Sequence, residues 1–159
     1  MQLWPYYSFD IETTLSLEES VASLSSEIEP KKWFRFSTKH KIFEGVISRD
    51  GFEVTRVIHY RNSFLPVIHG TFRSGLRGTI VTLRMRMYPV VTAFLCVWFG
   101  GVGLALFALI IGNKGKNFQG LIPLGMLIFG LALVNGGFWF EVKKTKPILE
   151  RILLKRENQ

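Results

Sequence analysis

The sequence predicts an α+β cytosolic domain followed by a transmembrane α-helical hairpin, and three observations carry that prediction. Two uncharged apolar runs, residues 89–112 and 121–140, lie in the second half of the chain. Ahead of them the hydrophobic period changes from two to helical and back to two, as in a strand, a helix and further strands. Turn signals, Asp50-Gly51 and SGLRG at 74–78, punctuate the later strand-like runs.

The composition agrees with this division. The chain has 159 residues, 48% hydrophobic, with 20 Lys and Arg against 12 Asp and Glu, and a net charge of +8. That apolar content excludes a disordered chain, and a single cysteine excludes a disulfide scaffold.

Residues 6–12 (YYSFDIE) alternate, with Phe9 and Ile11 on one face and Ser8, Asp10 and Glu12 on the other, which predicts a half-buried strand. Ser16 followed by Glu19 has capping-box spacing. Leu17, Val21, Leu24 and Ile28 then repeat at helical intervals until Pro30, which predicts a helix over 17–28. After the basic, aromatic segment KKWFRFSTKHK, residues 42–49 and 52–59 flank Asp50-Gly51 as a tight hairpin in which Gly tolerates positive φ. Strands over 64–73 and 79–87 follow, the last with Val81, Leu83, Met85 and Met87 on one face and Thr82, Arg84 and Arg86 on the other. One strand, a helix and four mainly antiparallel strands make residues 1–88 a small domain expected to fold and dissolve by itself.

Residues 89–112 form a helix of about 36 Å, enough to cross a hydrocarbon core of roughly 30 Å. Residues 121–140 are a second span, and the eight-residue connection requires an antiparallel return. A soluble domain this small has no core wide enough to surround two such helices. Arg73, Arg77, Arg84 and Arg86 precede the hairpin and Lys143, Lys144, Lys146, Arg151, Lys155 and Arg156 follow it, whereas the connection holds only Lys114 and Lys116. The positive-inside rule then places both termini in the cytoplasm. The opening MQLWPYYSFDIETT lacks the cations and apolar stretch of a secretory signal, so the first 88 residues are expected to stay cytosolic.

Cys96 falls inside the first span, where an inert thiol is expected. Gly101 with Ala105, Ala108 with Gly112, and Ala132 with Gly136 are each four apart, giving small-residue faces that serve hairpin packing and homo-oligomerisation alike. Asn135, the one strongly polar side chain in either span, is expected to hydrogen-bond between helices. Arg84, Arg86, Lys143, Lys144 and Lys146 are placed to meet anionic headgroups of the cytoplasmic leaflet. The tail 141–159 is basic, with Ile148, Leu149, Ile152 and Leu153 along one side of a short helix that lies in the interface or packs on the sheet.

No catalytic signature emerges. His40, His59 and His69 lack zinc-site spacing, although His59 and His69 would approach each other if their strands paired. Phosphate loops, nucleophile elbows and nucleotide fingerprints are missing from the sequence. No cofactor or metal is therefore expected, and nucleic acid is not an expected partner because half of the cations flank the spans.

The stretch YRNSFLPVIHG at 60–70 is the most individual in the first domain. Tyr60, Arg61, Asn62 and Ser63 form either a binding loop or a turn that satisfies its own backbone, and Pro66 implies an edge strand or a bulge. With this YRNSFLP segment ahead of a hydrophobic hairpin, the chain loosely resembles uncharacterised small bacterial two-span membrane proteins with an N-terminal β-rich cytosolic domain. The resemblance implies a bacterial membrane protein and no particular activity. The expected function is thus a non-enzymatic binding or scaffolding protein at the inner membrane surface, or alternatively an accessory subunit of a transport or export complex. Its expected partners are the bilayer and a second copy or another membrane protein.

Overall fold

The computed structural model describes residues 5–30, 41–112 and 121–154. The connection 113–120 with its two lysines, His40 and most of the basic aromatic segment, and Lys155 and Arg156 lie outside the described residues.

The elements run β1 (Tyr6–Thr13), α1 (Leu17–Ser26), β2 (Ile28–Glu29), β3 (Phe43–Ile47), β4 (Gly51–Arg56), β5 (Val67–Gly75), β6 (Gly78–Arg86), α2 (Pro89–Ile111) and α3 (Leu121–Leu153). The architecture is α+β, with a six-stranded mixed sheet ordered β1-β6-β5-β4-β3-β2. Among the described residues only the β2–β3 pair is parallel; β1 closes on β6 over its full length, from Tyr6 opposite Arg86 to Thr13 opposite Thr79. The alternation expected in β6 holds: Val81, Leu83 and Met85 are fully buried while Arg84 and Arg86 are exposed. In β1, Ile11 is buried and Ser8, Asp10 and Glu12 face out.

Four local expectations are corrected. The Ser16–Glu19 capping box forms, yet α1 stops at Ser26, and Ile28 and Glu29 pair with Phe43 and Glu44 as an added strand. Ile28 is buried as a strand residue, and the helical period would also turn it inward, so the side-chain period could not distinguish them; pairing with β3 decides. The Asp50-Gly51 turn is looser than a two-residue hairpin. Its last pair is Ile47 with Phe52, and the Ser48 amide donates to the Gly51 carbonyl at 2.8 Å. Gly51 does not adopt positive φ; it is needed because a Cβ there would meet the Gly70 oxygen at 2.4 Å. Positive φ is used instead at Gly78 (148°), which closes the β5–β6 turn. Finally, β5 begins after Pro66 and lies between β4 and β6, because proline has no N–H for a central ladder.

The largest correction concerns the C-terminal part. No break separates a second apolar helix from a tail: α3 is one helix of 33 residues that passes through Pro147. Its first half packs beside α2, and its second half crosses the inner face of the sheet. Val142, Leu149 and Leu153 join Leu24, Phe43, Val54, Ile68, Leu83 and Met85 in one buried cluster. At the far end the Thr13 hydroxyl donates to the Leu153 carbonyl at 2.6 Å. The core of residues 1–88 is therefore completed by residues beyond the apolar hairpin, and the division at 88 and at 140 does not separate self-sufficient units.

Candidate functional site at the base of the apolar helices

The polar residues gathered where α3 leaves its apolar run are held by packing. Phe52, Val54 and Arg56 share the inner face of β4, and Arg56, at its end, reaches α3. On α3, Gly137, Glu141 and Lys144 recur at helical spacing and so line one side of the helix. The loop 60–63 lies against that side.

Glu141 is fully buried, and both of its oxygens are used. Arg56 donates to Oε2 from Nε at 3.1 Å and from Nη2 at 2.5 Å, and the Tyr60 hydroxyl donates to Oε1. Arg56 Nη2 also donates to the Tyr60 oxygen at 3.1 Å, closing a three-membered network. Partial desolvation of the Tyr60 hydroxyl, then its bond to the Glu141 carboxylate, pushes the phenol above its ordinary value, so it is a neutral donor throughout the physiological range. Two residues on, Asn62 Nδ2 donates to the Gly137 carbonyl at 3.1 Å while its Oδ1 accepts from the Phe64 amide at 3.0 Å. Phe64 lies so close to Gly137 that a Cβ there would come within 2.7 Å of its ring. Lys144 Nζ sits 4.0 Å from the Phe140 ring centroid and 5.9 Å from that of Tyr60. Chemically, this set fixes a charge pair and orients a cation. It has no arrangement of nucleophile, base and oxyanion donors.

Both readings of the loop have a share in its structure. Tyr60 and Asn62 bind α3, Asn62 also satisfies its own turn, and Arg61 and Ser63 are exposed. Sequence reasoning missed Arg56 and Glu141, which anchor the site. The available signal was that Glu141 is the first charged residue after Lys116, ending 24 uncharged positions.

The small-residue faces are not at the α2–α3 contact. Ala105, Ala108 and Ala132 are exposed, a Cβ on Gly101 or Gly136 would meet nothing within 4 Å, and one on Gly112 would meet only the Ala108 oxygen of its own helix. The helices instead meet at a different small residue, Gly130 of α3, against which the Phe99 ring of α2 lies. Asn135 Nδ2 donates to the Leu131 carbonyl at 2.8 Å within α3, so its expected bond between helices is also corrected. A helical amide satisfied by its own i−4 carbonyl needs no second helix.

The flanking cations divide. Arg86 Nε donates to His69 Nε2 at 3.0 Å, and His69 Nδ1 faces Glu53 at 3.3 Å. Burial, and then Arg86, hold His69 below its ordinary pKa. Lys146 donates to the Tyr7 hydroxyl at 3.3 Å and lies 3.8 Å from Glu150. Arg84, Lys143 and Lys144 are exposed. His59, beyond the end of β4, is not in register with His69, whose partner across the ladder is Glu53. Among the described residues no group of three or more His, Cys, Asp or Glu converges on a metal-sized site.

No family model and no curated protein matches this chain. A Polyketide_cyc-like protein from Corynebacterium glutamicum, solved by solution NMR, is similar over 100% of this chain and 99% of its own, at 12% identity and a TM-score of 0.30. A likeness of that size carries no argument.

Proposed function

We propose that the chain is an integral protein of a bacterial-type inner membrane, crossing it twice with both termini cytoplasmic, and that its α+β domain is a non-enzymatic binding or scaffolding module at the membrane surface. The observation that carries this reading is the exposure of α2 and the first half of α3. In their most apolar windows only 11% and 17% of residues are buried, whereas the core helix of a soluble protein is mostly buried. Leu104, Phe107, Ile110, Ile128 and Phe129 all lie between 59% and 70% exposed. Such a surface is stable in hydrocarbon and costly in water. The 23 residues of α2 reach about 35 Å, and the cations cluster at the domain end of the hairpin.

The test is extraction combined with labelling. In a Cys96→Ser background, Leu76→Cys places a thiol on the fully exposed β5–β6 turn. The protein should resist carbonate extraction, and the thiol should react with an impermeant maleimide only after the inner membrane is opened. Release by carbonate, or labelling of intact spheroplasts, would refute the reading.

The unfilled space at Gly101, Ala105 and Gly136 favours a second reading, an accessory subunit whose hairpin packs against another membrane protein. That reading expects a multi-span protein to co-purify in mild detergent and to be lost with Gly101→Leu and Ala105→Leu together.

A further inference from the structure

We infer that the surface where loop 60–63 is tied to α3 binds the headgroup phosphates of anionic phospholipids of the cytoplasmic leaflet, with exposed Arg61 and Lys144 as cationic contacts. This rests on the two-span reading and sharpens it, since it separates cations that grip lipid from cations that hold the fold.

Level is the first argument. Asn62 is bound to the carbonyl of Gly137, inside the apolar run, and Lys144 Nζ lies over the ring of Phe140, the last residue of that run, which is 51% exposed. The loop and the ammonium therefore stand where an apolar surface gives way to a polar one, the depth at which headgroup phosphates lie.

Charge is the second. Glu141, three residues before Lys144 on that side of α3, is saturated by Arg56 and Tyr60 and neutralises neither surface cation. Among the described residues Arg61 and Lys144 make no ion pair, and both are exposed. Arg86 and Lys146, by contrast, are committed to His69 and to Tyr7 with Glu150. Arg84 shares the outer face of the sheet with His69, away from α3. Preorganisation is the third. Tyr60 and Asn62 are each tied to α3, so the backbone of Arg61 between them is fixed against the helix before any ligand arrives, which lowers the ordering cost of binding.

The test uses the full chain purified in dodecyl maltoside and titrated, by native mass spectrometry, with phosphatidylglycerol and phosphatidylcholine of matched acyl chains. Wild type should prefer phosphatidylglycerol. Arg61→Gln and Lys144→Gln should each reduce that preference about fivefold, and the pair roughly 25-fold, on the usual worth of a cation at an anionic surface. Arg84→Gln with Arg86→Gln should leave it within about twofold, since those side chains lie outside that surface. Melting of the Arg61/Lys144 pair variant at the wild-type temperature shows that folding is intact. The inference is overturned if that pair keeps the preference, if the Arg84/Arg86 pair loses as much, or if millimolar inorganic phosphate displaces the lipid, which would make the surface a free-phosphate site. A chain that stays soluble when the detergent is removed overturns the two-span reading itself, and this is seen before any lipid is added.

Discussion

The two halves of α3 treat polarity in opposite ways. From Leu121 to Leu133 the side chains are almost all apolar, yet Pro123 alone is buried. From Val134 to Leu153 polar residues interrupt the helix, and its buried residues include Glu141 and Thr145 beside Phe138, Leu149 and Leu153. One continuous helix thus exposes leucines at one end and buries a carboxylate at the other. In water both choices are unfavourable unless something compensates. Arg56 and Tyr60 compensate the buried carboxylate; the proposed bilayer compensates the exposed leucines. The boundary between the two regimes falls at residues 137–144, where loop 60–63 is tied to α3.

Removing one half from the other breaks the comparison most severely. A fragment of residues 1–88 lacks Val142, Leu149 and Leu153 and opens the face formed by Leu24, Ile68, Leu83 and Met85. It should not fold, and adding residues 134–154 back through a flexible linker should restore dispersed amide NMR signals; a well-dispersed spectrum from 1–88 alone would show that the two halves are independent. This reverses the expectation drawn from the apolar runs alone.

Next in size is the charge pair. Arg56 and Glu141 side chains are 15% and 0% exposed, so Glu141→Ala leaves a guanidinium nearly buried without its partner. The expected loss is about 3–5 kcal/mol in denaturant unfolding of the detergent-solubilised chain. Pairing it with Arg56→Met should recover most of that loss. Equal instability of the double and single variants would mean that the pair supplies net stability and is more than a matched polar insertion.

Two adjacent glycines sharpen the boundary. Gly137→Leu drives a side chain into Phe64 and Asn62 and should cost roughly 1–3 kcal/mol. Gly136→Leu, with nothing within 4 Å, should leave the melting temperature unchanged. If both behave alike, the loop does not grip α3.

The smallest effects follow pH. His69 has a depressed pKa in the folded state, so its contribution is present above the unfolded value near 6.5 and is lost as pH falls through the lower folded value. Tyr60 is raised, so its contribution is present below the unfolded value of 10.0 and is lost as pH rises through the higher folded one. His69→Gln should flatten the acid limb and Tyr60→Phe the alkaline limb of a stability profile, with the region between changed only by a constant offset.

By itself the sequence determined the class of the fold, the order of its main elements, the capping box at Ser16 and the inner face of β6. All of these depend on side-chain period and local hydrogen bonds, which neighbouring residues set. It also marked 60–63 as unusual. The tertiary structure alone decided that Ile28 leaves a helix for a strand edge, that α3 runs on through Pro147 to close the core, and that Arg56 finds Glu141 across 85 residues. Local rules rate Pro147 a helix breaker and Glu141 a solvated charge. Burial against a distant sheet outweighs the first, and a partner brought by the fold reverses the second, because an ion pair out of water depends on who stands beside it and not on what precedes it in the chain.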